Sequence, residues 1–162
     1  MGGAPSEQRP STVIKPVRCA ILISGSGSGM EAMIHHQQSN PGCGHETVLV
    51  IADRPDAKGL ERASSLGIES RCIPLPSDHE DPTNRRVAHE KIVHEHLLAA
   101  NVALVLLSGY MRLLTPYLVG QWAPNLLNIH PSILPAFPGA HAHRDALASG
   151  VKVSGCTVHM VD

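Results

Sequence analysis

The sequence predicts an α/β fold, a Rossmann-like and mostly parallel sheet flanked by helices. Apolar runs at 19–23, 47–52 and 102–107 have the length of single strands and almost no polar residues. Such continuous runs are typical of strands that are buried on both faces, as in parallel sheets. Segments with helical spacing separate the runs, and strands that alternate with helices favour a parallel α/β sheet.

The first strand, at 19–23, leads into a loop of alternating serine and glycine at 24–29, and a helix begins near Met30. A strand, a glycine-rich turn and a helix in this order are typical of the first unit of a doubly wound sheet. The second strand, at 47–52, ends at Asp53. Its polar end is therefore predicted to lie beside the glycine-rich loop.

Helical spacing, apolar runs and turn residues predict the remaining elements. In chain order these are a helix at about 57–65, a short strand at 71–73, a helix from about 83 to 98, a strand at 102–107, a helix that opens near Pro116, a strand that ends at 125–127, a helix at about 143–148 and a last strand at 153–161. If the strand order is 3-2-1-4-5, the loops that follow the strands meet at one edge of the sheet. Ligands of open α/β sheets bind at that edge.

Asn128 and His130 are the strongest catalytic candidates in the sequence. Side chains two positions apart on a strand point to the same side, so the amide and the imidazole share one surface. The Asn amide can donate to a developing oxyanion, and the His can transfer the proton of an attacking amine. The pair therefore suits acyl transfer. The alternative is a strand end whose polar side chains satisfy local backbone groups.

The loop at 24–29 is the second candidate site, because it exposes backbone N–H groups at the start of a helix. The helix dipole favours an anion there, and serine hydroxyls add donors, so a phosphate is the expected ligand. A tight turn without a ligand is the alternative. A nicotinamide-dependent oxidoreductase is a further alternative, because Asp53 lies 24 residues after Gly29, close to where such enzymes place the acid that binds a ribose hydroxyl. However, Met30 stands where the G-x-G-x-x-G motif of those enzymes has its third glycine.

Composition restricts the possible partners. A net charge of -1 and an aromatic content of 2% argue against nucleic acid, which is bound by basic surfaces and aromatic stacking. No apolar run approaches the roughly 20 residues that cross a bilayer, so no membrane contact is expected.

The 4 cysteines form no C-x-x-C motif and no secretory leader is recognisable, which predicts a cytoplasmic protein. Among 11 histidines, His141 and His143 could meet, but no third ligand is evident and no metal is expected.

Five ordered blocks of the sequence resemble the phosphoribosylglycinamide formyltransferases, also called glycinamide ribonucleotide transformylases. The blocks are 23–28, 56–63, 108–114, 128–139 with 141–144, and 153–159, and the resemblance runs from about residue 18 to residue 162. The wider superfamily of formyltransferases and hydrolases shares the Asn-x-His core. That element alone therefore does not separate the branches.

The resemblance implies the formyltransferase fold and transfer of a formyl group from 10-formyltetrahydrofolate to the amine of N1-(5-phospho-D-ribosyl)glycinamide, in purine biosynthesis. Gly27, Ser28 and Gly29 would hold the substrate phosphate. The folate site would consist of Arg86, Met111, Arg112, Leu113, Leu114 and Asn128, with 111–114 lining the pterin pocket. Asn128 would also stabilise the oxyanion, and His130 would transfer the proton. The partners would be small molecules, and the protein a monomer or a homodimer.

Two departures from the family pattern are expected to matter. Gly29 replaces the usual Asn, which removes a side-chain donor but keeps the backbone N–H. The family also continues past Asp162 to a catalytic Asp, so a domain at 17–162 that is truncated at its C-terminal end is expected. Residues 1–16 are polar and rich in Pro and Gly, which predicts a disordered tail. General acid–base groups contribute about 10²- to 10⁴-fold, so loss of this Asp would impair catalysis. A formyltetrahydrofolate hydrolase and an inactive phosphate-binding remnant are the alternatives.

Overall fold

The computed structural model describes residues 15–78 and 80–162. Within these ranges, six strands alternate with five helices. The strands are β1 (Val17–Ile23), β2 (His45–Ala52), β3 (Ser70–Cys72), β4 (Leu104–Ser108), β5 (Leu126–His130) and β6 (Thr157–Met160). The helices are α1 (Ser28–Ser39), α2 (Gly59–Ser65), α3 (Pro82–Ala99), α4 (Pro116–Trp122) and α5 (Ala142–Ser149). The predicted tail at 1–16 lies outside the described residues except for Lys15 and Pro16, which are exposed.

The strands pair in the order β3-β2-β1-β4-β5-β6, which confirms the predicted α/β class. The order 3-2-1-4-5, under which the loops after the strands meet at one edge, is therefore present. All pairs among β1 to β5 are parallel, and β6 is antiparallel to β5. Parallel neighbours need crossover connections, so the carboxyl ends of β1, β2, β4 and β5 lie at the same edge of the sheet. The winding reverses between β1 and β4, where open α/β sheets bind their ligands.

Both faces of the sheet are covered at its centre, because β1 alternates its side chains between two apolar clusters. Ala20 and Leu22 pack in the cluster that includes residues of α3 and α4. Cys19, Ile21 and Ile23 pack in the cluster that includes residues of α1 and α2. All five side chains are at most 1% exposed. This double burial explains why the sequence of β1 shows no polar alternation.

α3 is an 18-residue helix that buries one face against the sheet. Asp81 caps its N-terminus, because the Asp81 carboxylate accepts a hydrogen bond from the Asn84 N–H at 2.7 Å. Its buried positions are His89, Glu90, Val93 and Leu97, two polar and two apolar.

In the ranges 15–78 and 80–162, no helix has both the length and the apolar character that a membrane span needs.

Glu90 connects α3 to the start of α4. Its side chain is 2% exposed, and its Oε1 accepts from the Thr115 N–H at 2.7 Å. Its Oε2 accepts from the Thr115 hydroxyl at 2.5 Å and from the Leu118 N–H at 3.3 Å. The first N–H groups of a helix have no partner within the helix, so this carboxylate satisfies two that would otherwise be buried and unpaired.

The last strand is shorter than the predicted strand at 153–161, since only Thr157–Met160 joins the sheet. Its four residues pair with Leu127–His130 of β5, and β5 ends at His130. A strand needs a partner to satisfy its N–H and C=O groups, and 153–156 have none in β5. Val153 is accordingly 75% exposed.

Replacing Glu90 with Ala is expected to lower the free energy of unfolding by about 3 kcal/mol, because two buried N–H groups and a hydroxyl would lose their acceptor. Urea unfolding followed by circular dichroism measures the change. Glu95→Ala is the matched control on the exposed face of α3 and should shift stability by no more than about 0.5 kcal/mol. Equal unfolding midpoints for the two variants would contradict the role of Glu90.

Candidate active site

A cleft of about 1060 Å³ lies where the carboxyl ends of β1, β2, β4 and β5 meet. This volume is at the upper end of the range for small-molecule sites, so the cleft can hold two ligands side by side. Its lining comes from the segments that follow the four strands and from the end of the chain. The lining residues are 24–29, Arg54, 107–114, Val119, 128–131, Gly139, Ala140, His143, His159, Val161 and Asp162.

The glycine-rich loop turns sharply at Gly27, which precedes the first residue of α1. Gly27 has φ +69°, and a Cβ atom at this position would lie 2.8 Å from the Gly59 Cα. Only glycine fits such a left-handed, crowded position without strain. The Gly27 carbonyl accepts from the Glu31 N–H at 2.9 Å, which begins the helical ladder. The N–H groups of Ser28 and Gly29 precede that ladder, so they are available to an anion in the cleft.

Gly29 lies against Ser108 at the end of β4. A Cβ atom at Gly29 would be only 2.6 Å from the Ser108 Oγ. Any side chain at this position therefore requires the serine hydroxyl to move. The close approach of α1 to β4 gives a structural reason for the glycine, which the sequence marked only as a departure from the family pattern.

The segment that follows β4 is tied to the ends of β1 and β2. The Ser24 N–H donates to the Gly109 carbonyl at 3.1 Å, and the Met111 N–H donates to the Ser24 Oγ at 2.8 Å. Arg112 Nε donates to Asp53 Oδ2 at 2.5 Å. These contacts hold the segment in place, while Met111 and Leu113 stay 65% and 79% exposed.

Asp53 is a buried structural acid in this arrangement. It is 3% exposed, and its Oδ2 is occupied by Arg112. Its Oδ1 has no hydrogen-bond partner among the described residues but is buried, and Asp53 does not line the cleft. It therefore does not present a carboxylate to a ribose hydroxyl there, which argues against the nicotinamide alternative. Burial raises the pKa of the neighbouring Tyr110 hydroxyl, and the Asp53 charge adds to that shift.

Asn128 is positioned by the pairing of β5 with β6. It lies opposite His159 in the antiparallel register, and its Nδ2 is 3.2 Å from the His159 Nε2. The His159 Nδ1 is 2.8 Å from the Met160 carbonyl, which can only accept a hydrogen bond. The proton of His159 is therefore on Nδ1, so its Nε2 accepts from Asn128. The second hydrogen of the Asn128 amide remains available to a ligand.

His130, two residues further on, is oriented by the loop that follows it. Its Nε2 is 3.1 Å from the Phe137 carbonyl, so this nitrogen carries the proton and donates. The Ser132 hydroxyl donates to the Ala136 carbonyl at 2.6 Å and lies 3.2 Å from the same Phe137 carbonyl. With the proton on Nε2, the His130 Nδ1 keeps a lone pair and can accept a proton from a substrate.

Comparison with known proteins connects this geometry to a family. The family model described as Formyl transferase matches residues 17–162. A phosphoribosylglycinamide formyltransferase from Bacillus subtilis is 38% identical over 143 residues, which are 88% of this chain and 70% of that enzyme. The chain belongs to the formyl transferase family. Within this family, its Escherichia coli relative of the same name is 41% identical over 87% of this chain.

Solved structures of the family share the fold. The glycinamide ribonucleotide transformylase 1 of Symbiobacterium toebii superposes with a TM-score of 0.79 at 42% identity, over 91% of this chain and 66% of that one. The phosphoribosylglycinamide formyltransferase of Brucella melitensis has a TM-score of 0.81 at 40% identity.

The sequence also matches the trifunctional purine biosynthetic protein adenosine-3 of Drosophila melanogaster. The two are 44% identical over 146 residues, and the chain spans 10% of that protein.

The cleft of this formyl transferase brings together all but one of the predicted site residues. Those that line it are Gly27, Ser28, Gly29, Met111, Arg112, Leu113, Leu114, Asn128 and His130. Arg86 is not among the lining residues; it lies on α3, its Nη2 is 3.5 Å from the Thr83 Oγ1, and its Nε is buried without a partner in the described part of the chain.

Sequence reasoning missed Arg54, and it assigned no catalytic role to His143 or His159, which also line the cleft. Arg54 could have been found, because it comes directly after β2 and the carboxyl ends of parallel strands share an edge. His143 was considered only as a metal ligand with His141. His159 depends on the antiparallel register of β6, which no local pattern in the sequence indicates.

The packing of Gly29 on Ser108 predicts a coupling between the two positions. Gly29→Ala should raise the free energy of unfolding by about 1 kcal/mol through its higher helix propensity, but the contact with the Ser108 Oγ should cancel most of this increase. In a Ser108→Ala background the clash is gone, so the same change should stabilise the fold by about 1 kcal/mol. A double-mutant cycle on urea unfolding energies measures the coupling. A coupling energy of zero would contradict the close approach.

Proposed function

We propose that this formyl transferase transfers a formyl group from 10-formyltetrahydrofolate to the amine of N1-(5-phospho-D-ribosyl)glycinamide, a step of purine biosynthesis. The observation that carries the proposal is one cleft lined by the Asn128 and His130 pair, a helix N-terminus and an apolar segment. A phosphate, a reacting amine and a flat apolar ring each find a chemically matched surface there. The names of the relatives in Bacillus subtilis and Escherichia coli agree with this substrate.

The substrate phosphate would bind at the start of α1. The N–H groups of Ser28 and Gly29 have no helical acceptor, and the positive end of the helix dipole lies at the same place. The Ser28 hydroxyl would add a donor, and Arg54 lies on the same cleft wall. The Arg54 guanidinium is already paired with Asp56 at 2.9 Å, so the backbone donors would carry most of the phosphate recognition.

The folate would lie on the segment from Met111 to Leu114. Met111 and Leu113 are large apolar side chains that remain mostly exposed at the cleft, and a pterin ring can cover them. The contacts of this segment with Ser24 and Asp53 keep it in place before the ligand arrives. We also propose Arg86 as a folate contact, on the basis of the family resemblance, at a position that does not line the cleft.

The reacting groups would be handled by two side chains of this chain. 10-Formyltetrahydrofolate supplies the formyl group on a nitrogen that can leave. His130 would accept the proton of the attacking amine on Nδ1 as the new C–N bond forms. The Asn128 amide would donate to the formyl oxygen as that oxygen gains charge. His130 would then return the proton to the departing nitrogen as the bond from this nitrogen to the formyl carbon breaks. The products are the formylated amine and tetrahydrofolate, and no net proton is taken up or released.

The partners and location follow the same proposal. Both substrates are small molecules, and the protein would be a monomer or a homodimer. The cysteines Cys19, Cys43, Cys72 and Cys156 are all free, which agrees with a reducing compartment and hence with the cytoplasm.

Replacing His130 with Ala is expected to lower kcat/KM for formyl transfer by about 10²- to 10⁴-fold, because the proton acceptor is lost. The assay follows tetrahydrofolate formation in the presence and absence of the ribonucleotide. Ribonucleotide affinity should stay within a factor of about two, since the phosphate site is untouched. His35→Ala, on the exposed face of α1, is the matched control and should leave the rate unchanged.

The same assay separates the alternatives. Transfer that requires the ribonucleotide supports the proposal, whereas formate release that ignores it would identify a formyltetrahydrofolate hydrolase. Ribonucleotide binding without any turnover would identify a phosphate-binding remnant. Full activity in His130→Ala would contradict the assigned role of His130.

A further inference from the structure

We infer that His36, Cys43 and His45 form a binding site for a thiophilic divalent cation such as Zn²⁺. His36 is near the C-terminal end of α1, Cys43 lies in the turn that follows, and His45 is the first residue of β2. The amino end of β2 is at the sheet edge opposite the cleft. The inference is therefore independent of the proposed formyl transfer.

The geometry of the three side chains is close to that of a metal site. One ligand atom from each residue lies within 4.8 Å of the other two. In a tetrahedral zinc site with two imidazoles and one thiolate, the ligand atoms are roughly 3.4–3.6 Å apart. The three atoms thus need to approach by about 1 Å, which side-chain rotations alone can supply. The rings of His36 and His45 already stack, with their centroids 6.3 Å apart.

The donor set selects the class of metal. One thiolate and two imidazoles suit Zn²⁺ and Co²⁺, whereas Mg²⁺ and Ca²⁺ need oxygen ligands. His36 is exposed, and Cys43 and His45 are partly exposed, so an ion can reach all three from solvent. Three protein ligands leave the fourth tetrahedral position to water. Among the described residues, this is the one group of three His, Cys, Asp or Glu side chains with such spacing.

The hydrogen bonds around the three side chains show which contacts a bound ion would replace. The Gln37 Oε1 accepts from the Thr47 N–H at 2.9 Å, which fixes the orientation of the amide. The Gln37 Nε2 therefore donates to the His45 Nδ1 at 2.8 Å. The ion would displace that amide from the Nδ1 lone pair. The Cys43 Sγ, now 3.3 Å from the His45 carbonyl, would turn to the ion and lose its proton to solvent.

The contact with Gln37 predicts a variant that binds the metal more tightly. Gln37→Glu keeps an oxygen acceptor for the Thr47 N–H and places a carboxylate next to the His45 Nδ1. The ion would then have no amide hydrogen bond to displace from the Nδ1 lone pair, and the carboxylate would add negative charge next to the cation. We expect at least fivefold tighter binding.

Titration of the chelator-treated chain with Co²⁺ and Zn²⁺ tests the inference. One Co²⁺ per chain should bind and give the near-ultraviolet absorption band of a thiolate bound to cobalt, and Zn²⁺ should remove that band by displacement. Cys43→Ser should abolish the band, and His36→Ala should weaken binding at least tenfold. Both positions lie outside the sheet, so the fold should persist, which circular dichroism checks.

The matched controls are Cys72→Ser and His35→Ala, since both residues are exposed and lie outside the group. They should bind Co²⁺ like the parent chain. Absence of the absorption band in the parent, or an unchanged band in Cys43→Ser, would overturn the site. Gln37→Glu binding that is equal to or weaker than the parent's would overturn the assigned role of His45.

Discussion

The parallel pairing of β2, β1, β4 and β5 is the constraint on which the rest of this molecule depends. Parallel neighbours force each connection to cross the sheet, so the segments after four separate strands meet at one edge. The glycine-rich loop, Arg54, the 109–114 segment and the Asn128–His130 pair are distant in sequence and share one cleft for this reason. Without the parallel pairing of these strands, the loops that follow them would not lie next to one another.

Buried polar groups then hold the edge of the cleft in shape. Asp53 connects the end of β2 to Arg112, and Ser24 connects the end of β1 to Met111. Glu90 does the same for the start of α4, just beyond that segment. A charge removed from water is costly unless it is hydrogen-bonded, so these contacts allow few alternative positions of the segment. The apolar side chains Met111 and Leu113 can therefore remain exposed at a defined place.

Most of the fold was predictable because its signals are local. Continuous apolar runs indicated the buried strands, Pro116 marked the start of α4, and Gly150 marked the end of α5, where it has φ +71°. The length of β6 was not predictable, because it depends on how far β5 extends beside it. The stabilising partner of Asn128, His159, depends on the same antiparallel register. The group of His36, Cys43 and His45, which we propose as a metal site, arises from a helix end, a turn and a strand start that share no recognised spacing.

We propose that the start of α1 binds the phosphate of the ribonucleotide whose amine reaches Asn128 and His130. Amide ¹⁵N–¹H spectra of the chain, recorded with and without N1-(5-phospho-D-ribosyl)glycinamide, test it directly. We expect large downfield shifts of the Ser28 and Gly29 amide protons, together with a shift of the Asn128 side-chain amide. The amide signals of Asn40 and of 42–44, at the opposite edge of the sheet, should stay in place. Saturable binding that leaves Ser28 and Gly29 unshifted would contradict the account.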